Sequence, residues 1–193
     1  MFFKINSKEE IENEKDTGHS KAISLKTLLK VSKSICKIIV SYNNENWNGS
    51  GFFLKLKLNR EINCLLANFH IISQNIVGAK SNITIVLENE KEYSLKLDSD
   101  KRFIKFHQNP LVIALIEILN IDIIINDIDF LINDFNYLNG YNQYSNKNIF
   151  ILQYPKEKET YCQMGKIVNV NNFLFQNSVH IGFDSSEEFI KLA

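Results

Sequence analysis

The clearest strand signal in the chain is Gly51-Phe52-Phe53-Leu54-Lys55-Leu56-Lys57-Leu58. Its three leucines fall on one face and its two lysines on the other, because the side chains of a strand alternate between its two faces. We therefore predict a strand with one solvent-exposed face. Further short apolar or alternating runs surround it. The first set of predicted strands is 35–42, 51–58, 62–68, 83–87, 93–97, 103–106 and 111–119.

The segments around this strand set differ from it in composition. Residues 1–19 are rich in charged side chains and are predicted to form a flexible arm. Residues 20–119 contain the first strand set and a short leading helix, which the leucine spacing predicts over 20–33. Residues 120–147 are interpreted as a connector. Residues 148–193 hold a second strand set, predicted at 148–154, 161–170 and 173–181.

Short strands joined by polar turns indicate an all-β protein, either a barrel or a sandwich. The first set has enough strands to close a barrel. Residues 148–193 are too few to close a second barrel as large as the first. We therefore expect a second, incomplete strand assembly after the connector.

Composition limits the classes of partner. The chain has 22 basic and 22 acidic side chains, and this balance argues against a nucleic-acid binder that relies on a basic field. A hydrophobic fraction of 45% excludes wholesale disorder. No apolar run reaches the roughly 18 residues of a membrane span, and Met1 to Glu10 hold no apolar stretch long enough for the signal peptide of a secreted protein. We expect a cytoplasmic protein with no membrane partner.

The sequence shows no pattern for a metal or a cofactor. Cys36, Cys64 and Cys162 form no C-x-x-C pair, and the histidines show no ligand spacing with them. We expect reduced, buried thiols. A nucleophilic role for Cys162 is disfavoured because this residue lies within a predicted strand. The chain also has no phosphate loop and no G-x-G-x-x-G pattern, so no cofactor is expected.

Three segments of the first strand set carry a resemblance. They are Asn48-Gly49-Ser50-Gly51-Phe52-Phe53, then Leu65-Leu66-Ala67-Asn68-Phe69-His70-Ile71-Ile72, and then Val112-Ile113-Ala114-Leu115-Ile116-Glu117-Ile118. In this order they resemble the G-[ST]-G-F, T-N-x-H-V-[IV] and D-I-[AT]-[LI]-[IV]-E-[IV] segments of trypsin-like serine peptidases with the chymotrypsin fold.

Three later segments continue the resemblance, which covers the chain from about Ser34 to its end. Ile149-Phe150-Ile151-Leu152-Gln153-Tyr154-Pro155 and Gly165-Lys166-Ile167 are similar to segments that open the family's second barrel. Asp184-Ser185-Ser186-Glu187-Glu188-Phe189-Ile190 is similar to the segment around its nucleophile. The resemblance implies an all-β, trypsin-like double β-barrel whose second barrel is incomplete, preceded by one short N-terminal helix.

The resemblance also implies where a catalytic site would lie. In this type of site a serine attacks the scissile carbonyl, a histidine takes its proton, and a buried carboxylate orients the imidazole. His70 matches the histidine and Ser186 the serine. Ser186 is equally well interpreted as an ordinary solvated serine. Val112 occupies the aspartate position, and Asp184 occupies the position of the glycine whose N–H helps to form the oxyanion hole.

Other carboxylates are poor substitutes for the missing aspartate. Glu117 lies five residues after Val112, so on a strand it points to the opposite face. Asp98 and Asp100 lie in the preceding turn, and either could approach His70 only if that loop folded inward.

Three functions follow as hypotheses. The first is a peptidase-fold protein with impaired or no proteolytic activity. The second is an active serine endopeptidase that uses a dyad of His70 and Ser186. The third is a module that binds a peptide or protein through the inter-barrel cleft or through an open strand edge. The sequence leaves the oligomeric state open.

Overall fold

The computed structural model of the chain describes residues 3–4, 25–57, 59–108, 112–133, 148–153, 161–171 and 174–177. In chain order the elements are β1 (Phe3–Lys4), α1 (Leu25–Ser32), β2 (Ile35–Tyr42), β3 (Glu45–Lys57), β4 (Glu61–Asn68), α2 (Gln74–Gly78), β5 (Asn82–Val86), β6 (Glu92–Lys96), β7 (Ile104–His107), β8 (Ile113–Glu117), a 3-10 helix (Ile123–Asn126), β9 (Leu131–Asn133), β10 (Asn148–Gln153), β11 (Tyr161–Asn171) and β12 (Leu174–Asn177).

Most of the described strands belong to one sheet whose pairings are antiparallel except for that of β9 with β3. Its strand order is β6-β5-β2-β3-β4-β8-β7. β9 lies parallel to β3 and antiparallel to β1. A separate sheet has the order β10-β11-β12. The all-β prediction is therefore confirmed, and the helix predicted in 20–33 is present as α1.

β3 is the strand that the sequence signalled most clearly, and it is longer than predicted. Its first part pairs with β2 and its second part with β4, and Gly51 has a partner on both sides. β9 pairs with β3 at Leu54 and Lys55, just beyond the last β2 partner, Phe52. One long strand thereby joins three neighbours.

The core lies on both faces of β3 and β4. Phe53 belongs to the larger apolar cluster, together with Ile38, Leu65 and Ile116. Phe52 belongs to the cluster on the opposite face; its other buried members are Ile35, Leu54, Leu56, Ile62, Cys64 and Leu66. The prediction of one exposed face therefore holds only at the end of β3, where Lys57 is exposed. The strands are central in the sheet, and central strands covered on both faces carry near-continuous apolar sequence.

The larger sheet is not closed by pairing among the described residues. β6 and β7 lie at its two ends, and residues 97–103 join them in the chain. Instead of continuing as a strand, this link turns at Asp98, whose carbonyl accepts hydrogen bonds from the N–H groups of Lys101 and Arg102 at 3.0 Å each. A closed first barrel is thus not confirmed.

The structure also contains elements that strand patterns did not predict. β1 lies within 1–19, and β9 and the 3-10 helix lie within 120–147. α2 follows Ser73 and buries Ile76 and Val77. Among the helices that the structure describes, none has both the length and the apolar character needed to cross a membrane.

Candidate functional site

His70 lies in a tight turn immediately after β4. Asn68, the last residue of that strand, is buried, and its side-chain oxygen accepts a hydrogen bond from the His70 N–H at 2.9 Å. Its backbone carbonyl accepts hydrogen bonds from the N–H groups of Ile71 at 3.0 Å and Ile72 at 3.1 Å. Asparagine forms such turns readily because its short side chain can satisfy backbone N–H groups two residues ahead. The turn leaves the His70 side chain exposed.

A second set of contacts holds this turn from β3. The indole N–H of Trp47 donates a hydrogen bond to the carbonyl of Ile71 at 2.9 Å. Gly49 lies two residues further along the strand, and a Cβ atom there would lie 2.6 Å from Cγ1 of Ile71. The absence of a side chain at Gly49 therefore lets the turn pack directly on β3.

Val112 lies beside the same turn. The N–H of Phe69 donates a hydrogen bond to the carbonyl of Val112 at 3.1 Å, which extends the ladder in which Asn68 pairs with Ile113. Two of the positions named by the resemblance, His70 and Val112, are therefore neighbours across two strand ends. Valine has no group that can orient an imidazole. Among the described residues, no carboxylate forms an ion pair with His70.

Asp98 and Asp100 bind Lys80 instead of His70. Oδ1 of Asp98 lies 3.5 Å from Nζ of Lys80, and the Asp100 carboxylate also pairs with this ammonium group. Burial by itself would raise the pKa of Asp98, but the N–H of Asp100 and the charge of Lys80 together hold that pKa below its usual range. The inward loop that a substitute carboxylate would need is not formed.

The Glu117 side chain binds groups in another part of the sheet. Its carboxylate lies 2.8 Å from a guanidinium nitrogen of Arg60 and accepts a hydrogen bond from the N–H of Phe103 at 2.8 Å. Its partner in the ladder is Cys64, at the far end of the β4–β8 pairing from Asn68. These contacts hold the Glu117 carboxylate at the opposite end of the β4–β8 pairing from the His70 turn.

Two other predicted site positions, Ser186 and Asp184, lie outside the described residues. The site is therefore described from His70 and its neighbours. Cys162 lies in β11, opposite Leu152.

The two cysteines of the larger sheet are buried thiols. Burial raises the pKa of Cys36 above its ordinary range, and burial together with the Glu117 charge raises the pKa of Cys64 to about 12. Both thiols are therefore protonated at neutral pH and poorly reactive. Across the described ranges, no three His, Cys, Asp or Glu side chains group as metal ligands would.

Three residues that shape this site were given no role of their own in the sequence analysis. These are Trp47, Gly49 and Asn68. The signals were present as the single tryptophan of the chain, a glycine two residues before the predicted strand 51–58, and an asparagine at the end of the predicted strand 62–68. None of these signals names its partner, because Trp47 and Ile71 are 24 residues apart.

Comparisons with known proteins returned no matching family model and no matching curated protein.

Proposed function

We propose that the chain is a trypsin-like peptidase-fold protein with impaired or no proteolytic activity. The observation that carries this proposal is the hydrogen bond from Phe69 to Val112. It supports the correspondence of Val112 with the aspartate position, since the residue lies beside the turn that bears His70. In a Ser-His-Asp triad, loss of the orienting carboxylate lowers the rate by about 10⁴-fold, because no group then holds the imidazole in the productive tautomer and orientation.

The shape of the larger sheet supports a barrel-like first half. Seven strands lying flat side by side would separate β6 from β7 by about 29 Å, at about 4.8 Å per strand. The link of residues 97–103 would reach about 28 Å only if fully extended. Because this link contains the turn at Asp98, its actual reach is shorter, and the sheet has to curl so that its ends approach.

A fluorophosphonate probe, which reacts with the activated serine of serine peptidases, tests this proposal. We expect no labelling of the protein by a fluorophosphonate probe and no turnover of unstructured protein substrates. Labelling that Ser186→Ala abolishes would overturn the proposal and favour the active endopeptidase with a dyad of His70 and Ser186.

A gain-of-function variant separates the missing carboxylate from the other departures. Val112→Asp would return a carboxylate to the residue beside the His70 turn. Val112→Asn is the matched control, because it has nearly the same shape without the charge. Probe labelling in Val112→Asp alone would show that the carboxylate was the limiting loss. If both variants stay unlabelled, Asp184 and its neighbours are the next positions to restore.

A further inference from the structure

The outer edge of β6 has a symmetric arrangement of side chains. The strand reads Glu92-Tyr93-Ser94-Leu95-Lys96 and pairs only with β5 among the described residues. Its charged ends are opposite in sign and equidistant from Ser94. Glu92, Ser94 and Lys96 are exposed, whereas Leu95 is buried and Tyr93 half-buried.

The hydrogen bonds flanking β6 show which of its backbone groups point outward. The N–H of Leu97 donates to the carbonyl of Ser81 at 2.9 Å, and the N–H of Leu87 donates to the carbonyl of Lys91 at 3.0 Å. In an antiparallel ladder the backbone groups of alternate residues face the same neighbour. The odd-numbered residues of β6 therefore face β5, and the outward set is Glu92, Ser94 and Lys96.

We propose that this edge pairs with the same edge of a second copy of the chain, in an antiparallel register centred on Ser94. Ser94 then faces Ser94 of the other copy, and Glu92 faces its Lys96. These residues all belong to the outward set, so the register allows backbone hydrogen bonds across the dimer axis. The Lys96 carbonyl already accepts from the N–H of Asp98 at 3.1 Å, and it retains a second lone pair.

The side chains favour this register on both faces of the strand. On the exposed face, two Glu92–Lys96 pairs form across the axis, and directly opposite unlike charges stabilise strand pairing. On the other face, Tyr93 lies opposite Leu95 of the second copy, which extends the larger apolar cluster. A two-fold pairing of this kind uses the same patch twice and closes on itself.

The other end of the sheet lacks this complementarity. The N–H of Glu117 donates to the carbonyl of Phe103 at 2.8 Å, so the outward residues of β7 are Ile104 and Phe106. A two-fold pairing that joins these two residues sets Lys105 directly opposite Lys105 of the second copy. Like charges in this position oppose pairing. Of these two pairings, the Ser94-centred pairing of β6 is the better supported, and it does not depend on whether the protein has peptidase ancestry.

The test is the oligomeric state of the full chain by sedimentation equilibrium. We expect a concentration-dependent dimer that weakens as salt is raised. Ser94→Pro should abolish it, because proline removes an outward N–H and leaves the β5 pairing intact. Ser94→Thr is the matched control and should remain dimeric. A monomer at all concentrations, or a dimer that survives Ser94→Pro, would overturn the proposal.

Charge exchange tests the register without proline. Lys96→Glu should raise the dissociation constant by about tenfold or more, because two attractive pairs become repulsive. The double variant Glu92→Lys, Lys96→Glu should recover the original affinity. Failure of the double variant to recover it would exclude the Ser94-centred register, even if Ser94→Pro proved too unstable to interpret.

Cross-linking gives a second test of the same register. Two Ser94→Cys residues would have Cα atoms about 5.5 Å apart, which suits a disulfide. Two Glu92→Cys residues would be offset by about 13 Å along the strands. Oxidation should therefore link the first variant and not the second, and the reverse result would contradict the proposal. The unsubstituted protein controls for the native cysteines.

Discussion

The indole N–H of Trp47 donates a hydrogen bond to the carbonyl of Ile71 at 2.9 Å and so ties β3 to the turn that carries His70. The contact joins two segments that are 24 residues apart. Together with the hydrogen bond from the His70 N–H to the Asn68 side chain, it fixes the turn to both β3 and β4.

Trp47→Phe should lower the free energy of unfolding by about 1–2 kcal/mol, because the Ile71 carbonyl loses its donor while most of the ring packing remains. Urea denaturation followed by circular dichroism measures this change. Tryptophan fluorescence cannot be used, because the variant lacks the only tryptophan of the chain. Amide hydrogen exchange should become faster at residues 69–72 than elsewhere. Uniform acceleration across the sheet would argue against a local role for Trp47.

Gly49→Ala should destabilise the protein by about 1–3 kcal/mol, since the new methyl group meets Ile71 at 2.6 Å. Ile71→Ala removes both Cγ1 and Cδ1, so in a double-mutant cycle the losses for Gly49→Ala and Ile71→Ala should be less than additive. Gly78→Ala is the matched control. No atom lies within 4 Å of a Cβ built at Gly78, so this change should be close to neutral. Equal losses for the two glycines would contradict the packing argument.

Asp122→Ala should cost about 3–5 kcal/mol, because it leaves the buried guanidinium of Arg102 without its partner. The pair is bidentate, with N–O distances of 2.9 and 3.1 Å, and Arg102 also donates to the carbonyl of Glu117 at 2.7 Å. Chemical denaturation measures the loss. The partly exposed pair Lys55–Glu61 provides the comparison, and Glu61→Ala should cost about 1 kcal/mol or less.

The hydrogen bond from the Tyr93 hydroxyl to the Asp127 carboxylate should make the free energy of unfolding fall at both low and high pH, because each extreme changes the charge of one of its two groups. The hydrogen bond from Tyr93, followed by that from Lys91, lowers the pKa of Asp127. Stability from this carboxylate is present above its ordinary pKa of 3.8 and is lost as pH falls below that value. The same bond raises the pKa of Tyr93 to about 12, so its stabilisation is lost as pH rises from 10.0 toward 12.

Urea midpoints measured across both pH ranges check this prediction. Tyr93→Phe should flatten the alkaline loss and reduce the acid loss, whereas Tyr42→Phe keeps the Tyr93–Asp127 contact and should change neither. Unaltered pH profiles in Tyr93→Phe would show that other groups govern both losses.

Much of the strand content could be predicted because period-two alternation is a local property of the chain. β2 matches the prediction of 35–42 at both ends, and β4, β5, β6 and β7 differ from their predictions by about a residue. β1 and β9 were missed because strands this short exist through their pairing, which joins Phe3 to Asn133. Their own sequences carry too few residues for a pattern.

The candidate site divides in the same way. His70 at a strand end, the absence of an acid at Val112 and the face of Glu117 all follow from position along the chain. The engagement of Asp98 and Asp100 by Lys80, and the support of the His70 turn by Trp47, depend on contacts between distant segments. The sequence by itself therefore determined most of the longer strands and the place of His70 just after one of them. The tertiary structure decided which groups surround the histidine, because burial and pairing are set by neighbours that are remote in the chain.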